Sequence, residues 1–99
     1  MRTNKLGRTN LQIPVIGLGA MFVGASAPDK PGDQDEELAA QTVIAAIEAG
    51  STFVDTAPVY GGGISERAIG RALRERPDLA ETATIVTKVG AQRRTKLLL

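Results

Sequence analysis

Three side chains that can hold or move a proton stand near the ends of apolar segments: Asp55, Tyr60 and Lys88. The tyrosine is the only one in the chain, and it lies between a proline-containing loop and three consecutive glycines. A lysine held near a phenol stabilises the phenolate, and a carboxylate beside the lysine keeps its ammonium in position. Together the three groups would form a tuned proton donor or acceptor.

Each of these residues also has an ordinary structural explanation. A tyrosine in a glycine-rich loop is often a packed or surface aromatic. Asp55 precedes Thr56 and Pro58 and is a typical turn former. Lys88 is typical of a solvated strand end. The residue types alone leave the structural and the catalytic interpretations open.

Composition limits the classes of function. A length of 99 residues suits one small domain or a piece of one. A net charge of +1 gives no general attraction to nucleic acid or to an acidic membrane surface. The absence of cysteine and histidine excludes disulfides and thiolate metal sites and removes the commonest metal ligand and general base. We therefore expect no nucleic-acid partner and no metal.

The start of the chain bears on location. Residues 1–10 are polar with no apolar segment behind them, and no apolar run approaches about eighteen residues. These features predict neither a signal peptide nor a membrane span. A cytoplasmic location is the default expectation.

Apolar patterning and turn residues predict the elements that position the three side chains. The turn formers of residues 7–10 predict a β-hairpin, and residues 15–19 predict a fully buried strand. A long loop follows. A helix is then predicted from residue 35 or 36 to 49, with Gly50 just beyond its end.

The remaining elements continue the alternation of strands and helices. They are a strand over residues 52–55, a helix over 65–76 and a strand over 82–88. Ser65 is the expected N-cap of the helix, Pro77 its stop, and Gly70 is expected to approach a strand closely. The order hairpin, β, α, β, α, β implies parallel strands with right-handed crossovers. Because functional groups gather at the C-terminal ends of such strands, we expect Asp55 and Lys88 at one edge.

Three segments resemble the aldo/keto reductase family. They are LGRTNLQIPVIGLGAM at residues 6–21, FVDTAPVYGGGISERAIGRAL at 53–73 and IVTKVG at 85–90. The stretch DTAPVYGGGISE is most similar to the branch that acts on sugars and related aldehydes, including aldose and pyridoxal dehydrogenases. Members are (β/α)₈ barrels with an N-terminal hairpin at the bottom. They transfer hydride between NAD(P)H and a carbonyl or alcohol without a metal.

The resemblance implies a role for each matched residue. Tyr60 would be the general acid to a carbonyl oxygen, or the base in oxidation. Lys88 would favour the phenolate of Tyr60, and Asp55 would pair with Lys88. The cofactor, NADP or NAD, would lie near Gly19, Ala20, Met21 and Asp55.

The chain also departs from the family. A (β/α)₈ barrel needs about 250 residues, so the predicted fold is an N-terminal fragment of that barrel, a hairpin plus β-α-β-α-β. The domain assignment is therefore a partial barrel over residues 1–99, within which 91–99 form a non-homologous tail. The family's catalytic histidine lies on the next strand, and this sequence has no histidine.

The predicted function follows from the resemblance and the departures together. We expect an NAD(P)-dependent oxidoreductase that interconverts a carbonyl (aldehyde, ketone or sugar) and an alcohol but turns over slowly or not at all as this chain. The alternatives are a non-catalytic binding or regulatory module or a degenerate fragment. An unrelated barrel or doubly wound enzyme would be favoured if Asp55, Tyr60 and Lys88 lay far apart. An uncovered sheet edge would favour self-association.

Overall fold

The computed structural model describes residues 1–25 and 33–90. The predicted tail, 91–99, lies outside the described residues. The strands are β1 (Thr3–Lys5), β2 (Gln12–Pro14), β3 (Leu18–Gly19), β4 (Phe53–Asp55) and β5 (Thr84–Val86). The helices are α1 (Glu36–Glu48), α2 (Ile64–Glu75) and α3 (Pro77–Ala80).

The first two strands form the predicted hairpin. β1 pairs antiparallel with β2, and the Leu6 amide donates to the Leu11 carbonyl at 2.9 Å. The Thr9 hydroxyl donates to the Leu6 carbonyl at 2.6 Å and so closes the turn with a side chain. Prediction and structure agree here because the turn chemistry is local.

The other three strands form a parallel sheet in the order β3-β4-β5. Leu18, Val54 and Ile85 lie side by side across it and belong to the core that α1 and α2 cover. The strand predicted over residues 15–19 is only two residues long, and its expected full burial was wrong, since Val15 is 43% and Ile16 63% exposed. A parallel strand is buried fully only when both faces are covered, and here the helices cover one.

The first helix has the predicted ends. The Asp35 carboxylate accepts a hydrogen bond from the Leu38 amide at 2.8 Å, which caps the N-terminus. Gly50, with φ +103°, follows the C-cap, as expected for the C′ position. Ala39, Val43 and Ile47 are buried, so these apolar residues of α1 face the core.

The second helix differs from the prediction at its start. It begins at Ile64 after Gly63 in a left-handed conformation, and Ser65 is not the N-cap because its buried hydroxyl bonds to Thr56 instead. The close approach of Gly70 to a strand was also wrong, since a Cβ there would meet only the end of the Arg74 side chain. The stop at Pro77 is confirmed: α2 ends at Glu75, and Pro77 opens α3.

Candidate active site

Asp55 and Lys88 form an ion pair at one end of the sheet. The Lys88 Nζ donates to Asp55 Oδ1 at 2.8 Å and to the Thr56 carbonyl at 2.7 Å. Both side chains stay about half exposed, at 43% for Lys88 and 52% for Asp55. The pair is therefore reachable from solvent, and its cation is fixed by two acceptors from one segment.

Strand pairing brings the two residues together. Asp55 is the last residue of β4 and lies beside Val86, the last residue of β5. The Thr56 amide continues the ladder to the Val86 carbonyl at 2.8 Å, and Lys88 follows two residues after the strand. Because side chains alternate along a strand, Val86 and Lys88 lie on the face that carries Asp55. The predicted meeting of Asp55 and Lys88 at one edge is what the structure has.

Tyr60 lies against the same cation. The Lys88 Nζ is 5.1 Å from the centre of the Tyr60 ring. Tyr60 opens a tight turn of residues 60–63, whose glycines Gly61 and Gly62 adopt φ of +61° and +65°. Only glycine adopts such values without strain, so the glycine run lets the chain reverse at once after the tyrosine. The carboxylate, the ammonium and the phenol thus form one cluster.

The electrostatics of the cluster keep the lysine charged. The hydrogen bond that Lys88 donates to Asp55 is the largest cause of a raised pKa for Lys88, partial desolvation opposes the rise, and Tyr60 adds to it. Lys88 therefore carries a full positive charge at neutral pH beside the phenol. A fixed cation in this position can stabilise negative charge that develops on an oxygen nearby.

The residues expected near a cofactor lie at the end of the neighbouring strand. Gly19 pairs with Asp55 across the sheet, and the space where a Cβ would stand has no atom within 4 Å. Met21 is 45% exposed. Ala20 differs from both, because the whole residue is buried and its amide donates to the Asp55 carbonyl at 2.9 Å, so it presents no surface to a cofactor. An open surface therefore lies directly beside the ion pair.

Gln34 is a contact residue that no sequence motif indicates. Its side-chain amide donates to the Val23 carbonyl at 2.8 Å and more weakly to the Met21 carbonyl at 3.4 Å, and its Oε1 lies against Gly61. It thereby links the loop after β3 to the turn that starts with Tyr60. A glutamine in a polar loop has no motif, so only its contacts identify this role.

Residues 1–25 and 33–90, the part of the chain that the structure describes, hold an apolar groove but neither a metal-ligand cluster nor a helix that could cross a membrane. No group of three or more His, Cys, Asp or Glu residues is placed there to hold a metal ion. None of the helices described is long and apolar enough to cross a membrane. An open apolar groove of about 310 Å³ lies between α2 and β5, where Ile69, Leu73 and Ile85 are among its lining residues. Thr56 and Thr87 also line the groove, on the face of the sheet opposite to the side chains of Asp55 and Lys88.

Comparison with known proteins identifies the family. The model of the Aldo/keto reductase family matches residues 15–97. The chain belongs to the aldo/keto reductase family. The resemblance carried by the three sequence segments is thereby confirmed.

Individual aldo/keto reductases match this chain over part of their own length. Pyridoxal 4-dehydrogenase of Microbacterium luteolum is 42% identical over 86 residues, which are 86% of this chain and 23% of the relative. The NADH-specific methylglyoxal reductase of Escherichia coli K12 is 34% identical over 90 residues, which are 91% of this chain and 27% of the relative. The chain thus spans about a quarter of the length of these curated relatives.

A shorter relative and a solved structure complete the comparison. An uncharacterized 11.2 kDa protein of Pseudescherichia vulneris is 30% identical over 106 residues, covering 100% of this chain and 96% of its own. The holo form of the aldo-keto reductase AKR11C1 from Bacillus halodurans superposes with a TM-score of 0.75 at 29% identity, over 95% of this chain and 28% of that one. The predicted fold, part of an aldo/keto reductase (β/α)₈ barrel, is confirmed.

Proposed function

We propose that Asp55, Tyr60 and Lys88 form the proton-transfer part of an NAD(P)-dependent oxidoreductase that interconverts a carbonyl compound and an alcohol. The supporting observation is the placement of the Lys88 ammonium, which donates to Asp55 at 2.8 Å and lies 5.1 Å from the centre of the Tyr60 ring. A phenol beside a fixed cation is suited to giving up and regaining a proton.

Each residue has a distinct task in this proposal. In reduction, Tyr60 gives its proton to the carbonyl oxygen, and in oxidation its phenolate takes the proton of the alcohol. The positive charge of Lys88 offsets the negative charge left on Tyr60. Asp55 touches neither the proton nor the substrate oxygen but holds Lys88 in place. No metal is required for these steps.

The end of β3 offers a surface that fits a nicotinamide cofactor, NADP or NAD. Gly19, which pairs with Asp55, has open space around it, and Met21, two residues further along the chain, is half exposed. The exposed backbone of Gly19 and the side chain of Met21 would hold the ring there, while the buried Ala20 keeps this segment bonded to Asp55. The cofactor, when bound, supplies or accepts the hydride.

The substrate class is a small carbonyl compound: an aldehyde, a ketone or a sugar. Two relatives support it by name, since one is a methylglyoxal reductase and the other a pyridoxal dehydrogenase. The half-exposed ion pair and the open surface beside it suit a small polar substrate. We also propose a cytoplasmic location, which fractionation of the source cells tests.

We propose further that this chain alone turns over slowly or not at all. It has no histidine, and it spans about a quarter of its curated relatives. The second candidate is a non-catalytic binding or regulatory module, which is favoured by large apolar side chains left exposed, such as Phe22 at 55% and Val89 at 94%.

A chimera separates the two candidates. Residues 1–90 replace the matching segment of the E. coli methylglyoxal reductase, and oxidation of NADH and NADPH is followed with small aldehydes for the chimera and for the 99-residue chain. We expect reduction by the chimera and a rate near background for the chain. A chimera that is folded but inactive would favour the binding module. Rapid turnover by the chain alone would refute the proposal of low activity.

A further inference from the structure

The first turn of α2 makes two side-chain hydrogen bonds to the ends of the neighbouring strands. The hydroxyls of Ser65 and Thr56 share a hydrogen bond of 2.6 Å. The Thr87 hydroxyl donates to Glu66 Oε2, also at 2.6 Å. Two adjacent residues of one helix thus hold two different strand ends.

The strand residues that are held stand next to the ion pair. Thr56 directly follows Asp55, and Thr87 directly precedes Lys88. Because side chains alternate between the two faces of a sheet, the threonines point toward α2 while Asp55 and Lys88 point away from it. The two hydrogen bonds from α2 therefore hold the strand ends that carry Asp55 and Lys88, from the opposite face of the sheet.

The backbone of Thr56 links the Ser65–Thr56 hydrogen bond to Lys88. Its carbonyl accepts from Lys88 Nζ at 2.7 Å, and its amide donates to the Val86 carbonyl at 2.8 Å. Both acceptors of the Lys88 ammonium, Asp55 Oδ1 and the Thr56 carbonyl, therefore belong to the segment that Ser65 holds. A shift of Thr56 would move both acceptors at once.

Burial makes the Ser65–Thr56 bond hard to replace. Ser65 is fully buried and Thr56 is 1% exposed, so water does not reach the hydroxyls. Removing one hydroxyl would leave the other buried without a partner, which is unfavourable. Thr87 is exposed, so its hydrogen bond to Glu66 can be removed without disturbing the core.

We propose that Ser65 and Glu66 are positioning residues, which act through Thr56 and Thr87 to fix the Lys88 ammonium between its acceptors. The proposal rests on the proposed function for the importance of Lys88, but its geometry stands apart from turnover. Loss of either hydrogen bond should free the ammonium, and loss of the exposed Thr87–Glu66 bond should leave the fold in place.

Competitive acetylation measures how firmly Lys88 is held in the 99-residue chain. Only the neutral amine reacts, so an ammonium held by two acceptors reacts slowly. Lys5, which is exposed and distant along the chain, serves as the internal reference, and peptide mass spectrometry gives the ratio of the two rates. The readout does not depend on NAD(P)H oxidation, so a failure here and a failure of the proposed function are distinguishable.

The informative variants remove one hydroxyl at nearly constant shape. We expect Thr56→Val and Thr87→Val to raise the acetylation rate of Lys88 relative to that of Lys5 by about threefold or more. This is the change that a rise of about half a pH unit would produce in the fraction of neutral amine. Thr56→Ser and Thr87→Ser keep the hydroxyl and should restore the parent ratio. Thr82→Val is the matched control, because that exposed threonine donates only to the Leu79 carbonyl.

Two results would overturn the proposal. One is a parent-like Lys88 ratio in Thr87→Val and in a folded Thr56→Val. The other is an equal rise in Thr82→Val, which would mean that any loss of a threonine hydroxyl loosens the chain. If Thr56→Val does not fold, Thr87→Val decides alone, since the parent ratio in that variant contradicts the proposal.

Discussion

Gln34 and Gly61 meet where the loop after β3 touches the turn that carries Tyr60. Gly61 has φ +61°, and a Cβ built on it would lie 2.7 Å from Gln34 Oε1. Gly62 has nearly the same φ, +65°, but open space around it. The two glycines therefore share a backbone requirement and differ in one contact.

Gly61→Ala should destabilise the chain more than Gly62→Ala. In both variants an alanine must adopt a left-handed backbone conformation, which costs about 1–2 kcal/mol of unfolding free energy. Gly61→Ala must also displace the Gln34 amide from the Met21 and Val23 carbonyls. Chemical denaturation of both variants measures the difference, and equal losses of unfolding free energy would show that the contact of Gln34 with the turn is unimportant.

The Asp55–Lys88 pair should make stability depend on pH in the alkaline range. The pKa of Lys88 is raised by Asp55 in the folded chain, so the stabilisation is complete below the ordinary lysine pKa of about 10.4 and is lost as pH rises through the folded value. We expect a steeper loss of unfolding free energy above about pH 10 in the parent than in Asp55→Asn. Asp33→Asn, at an exposed site, is the control and should follow the parent. Parallel curves for parent and Asp55→Asn would contradict the assignment.

At the scale of elements, α1 and α2 pack against each other and bury small side chains in the same core. Ala39 and Ala40 of α1 and Ala68 and Ala72 of α2 are all at most 2% exposed. Alanines at a helix contact let the two backbones approach closely, which holds α2 over the sheet. The position of the first turn of α2, and with it Thr56, depends on this contact.

Overpacking this contact should therefore destabilise the fold. Ala68→Leu inserts three carbons at a fully buried position, for an expected loss of about 1–3 kcal/mol of unfolding free energy. Ala45→Leu makes the same change at an exposed position of α1 and should stay within about 0.5 kcal/mol of the parent. Thermal or chemical unfolding compares them, and a tolerated Ala68→Leu would mean that the helices have room to separate.

The elements also show how far sequence reasoning reaches. The hairpin, the start of α1 at residue 35 or 36 and the end of α2 before Pro77 were predictable because local chemistry determines them. The pairing of Asp55 with Lys88 was predictable from strand order and alternation. The start of α2 was not, because Ser65 satisfies its hydroxyl through Thr56, nine residues earlier, rather than by capping. Gln34 was missed for the same reason, since its partners are set by tertiary structure.

At the scale of the whole molecule, one face of the parallel sheet lacks a covering layer among the described residues. Both long helices pack on the other face, and within residues 1–25 and 33–90 β5 pairs only with β4. Val86 and Phe22 are exposed at 36% and 55%. An open strand edge beside apolar surface favours self-association, which remains a prediction.

A charge on the edge strand should weaken that association. Thr84→Lys places an ammonium on β5 without removing a core side chain, and we expect a lower weight-average mass at high concentration in sedimentation. Thr82→Lys adds the same charge outside the strand and is the control. Equal masses for both variants would show that association does not proceed through β5, and a monomeric parent would exclude it.

The central claim is that Tyr60, beside Lys88, moves the proton in a carbonyl–alcohol reaction. Its most direct test is kcat for the chimera of residues 1–90 with the methylglyoxal reductase, compared with its Tyr60→Phe variant. Removing one hydroxyl from an acid–base catalyst should lower kcat by about 10²–10⁴-fold while KM changes little. A folded Tyr60→Phe chimera that reduces its aldehyde at the parent rate would contradict the assignment of Tyr60.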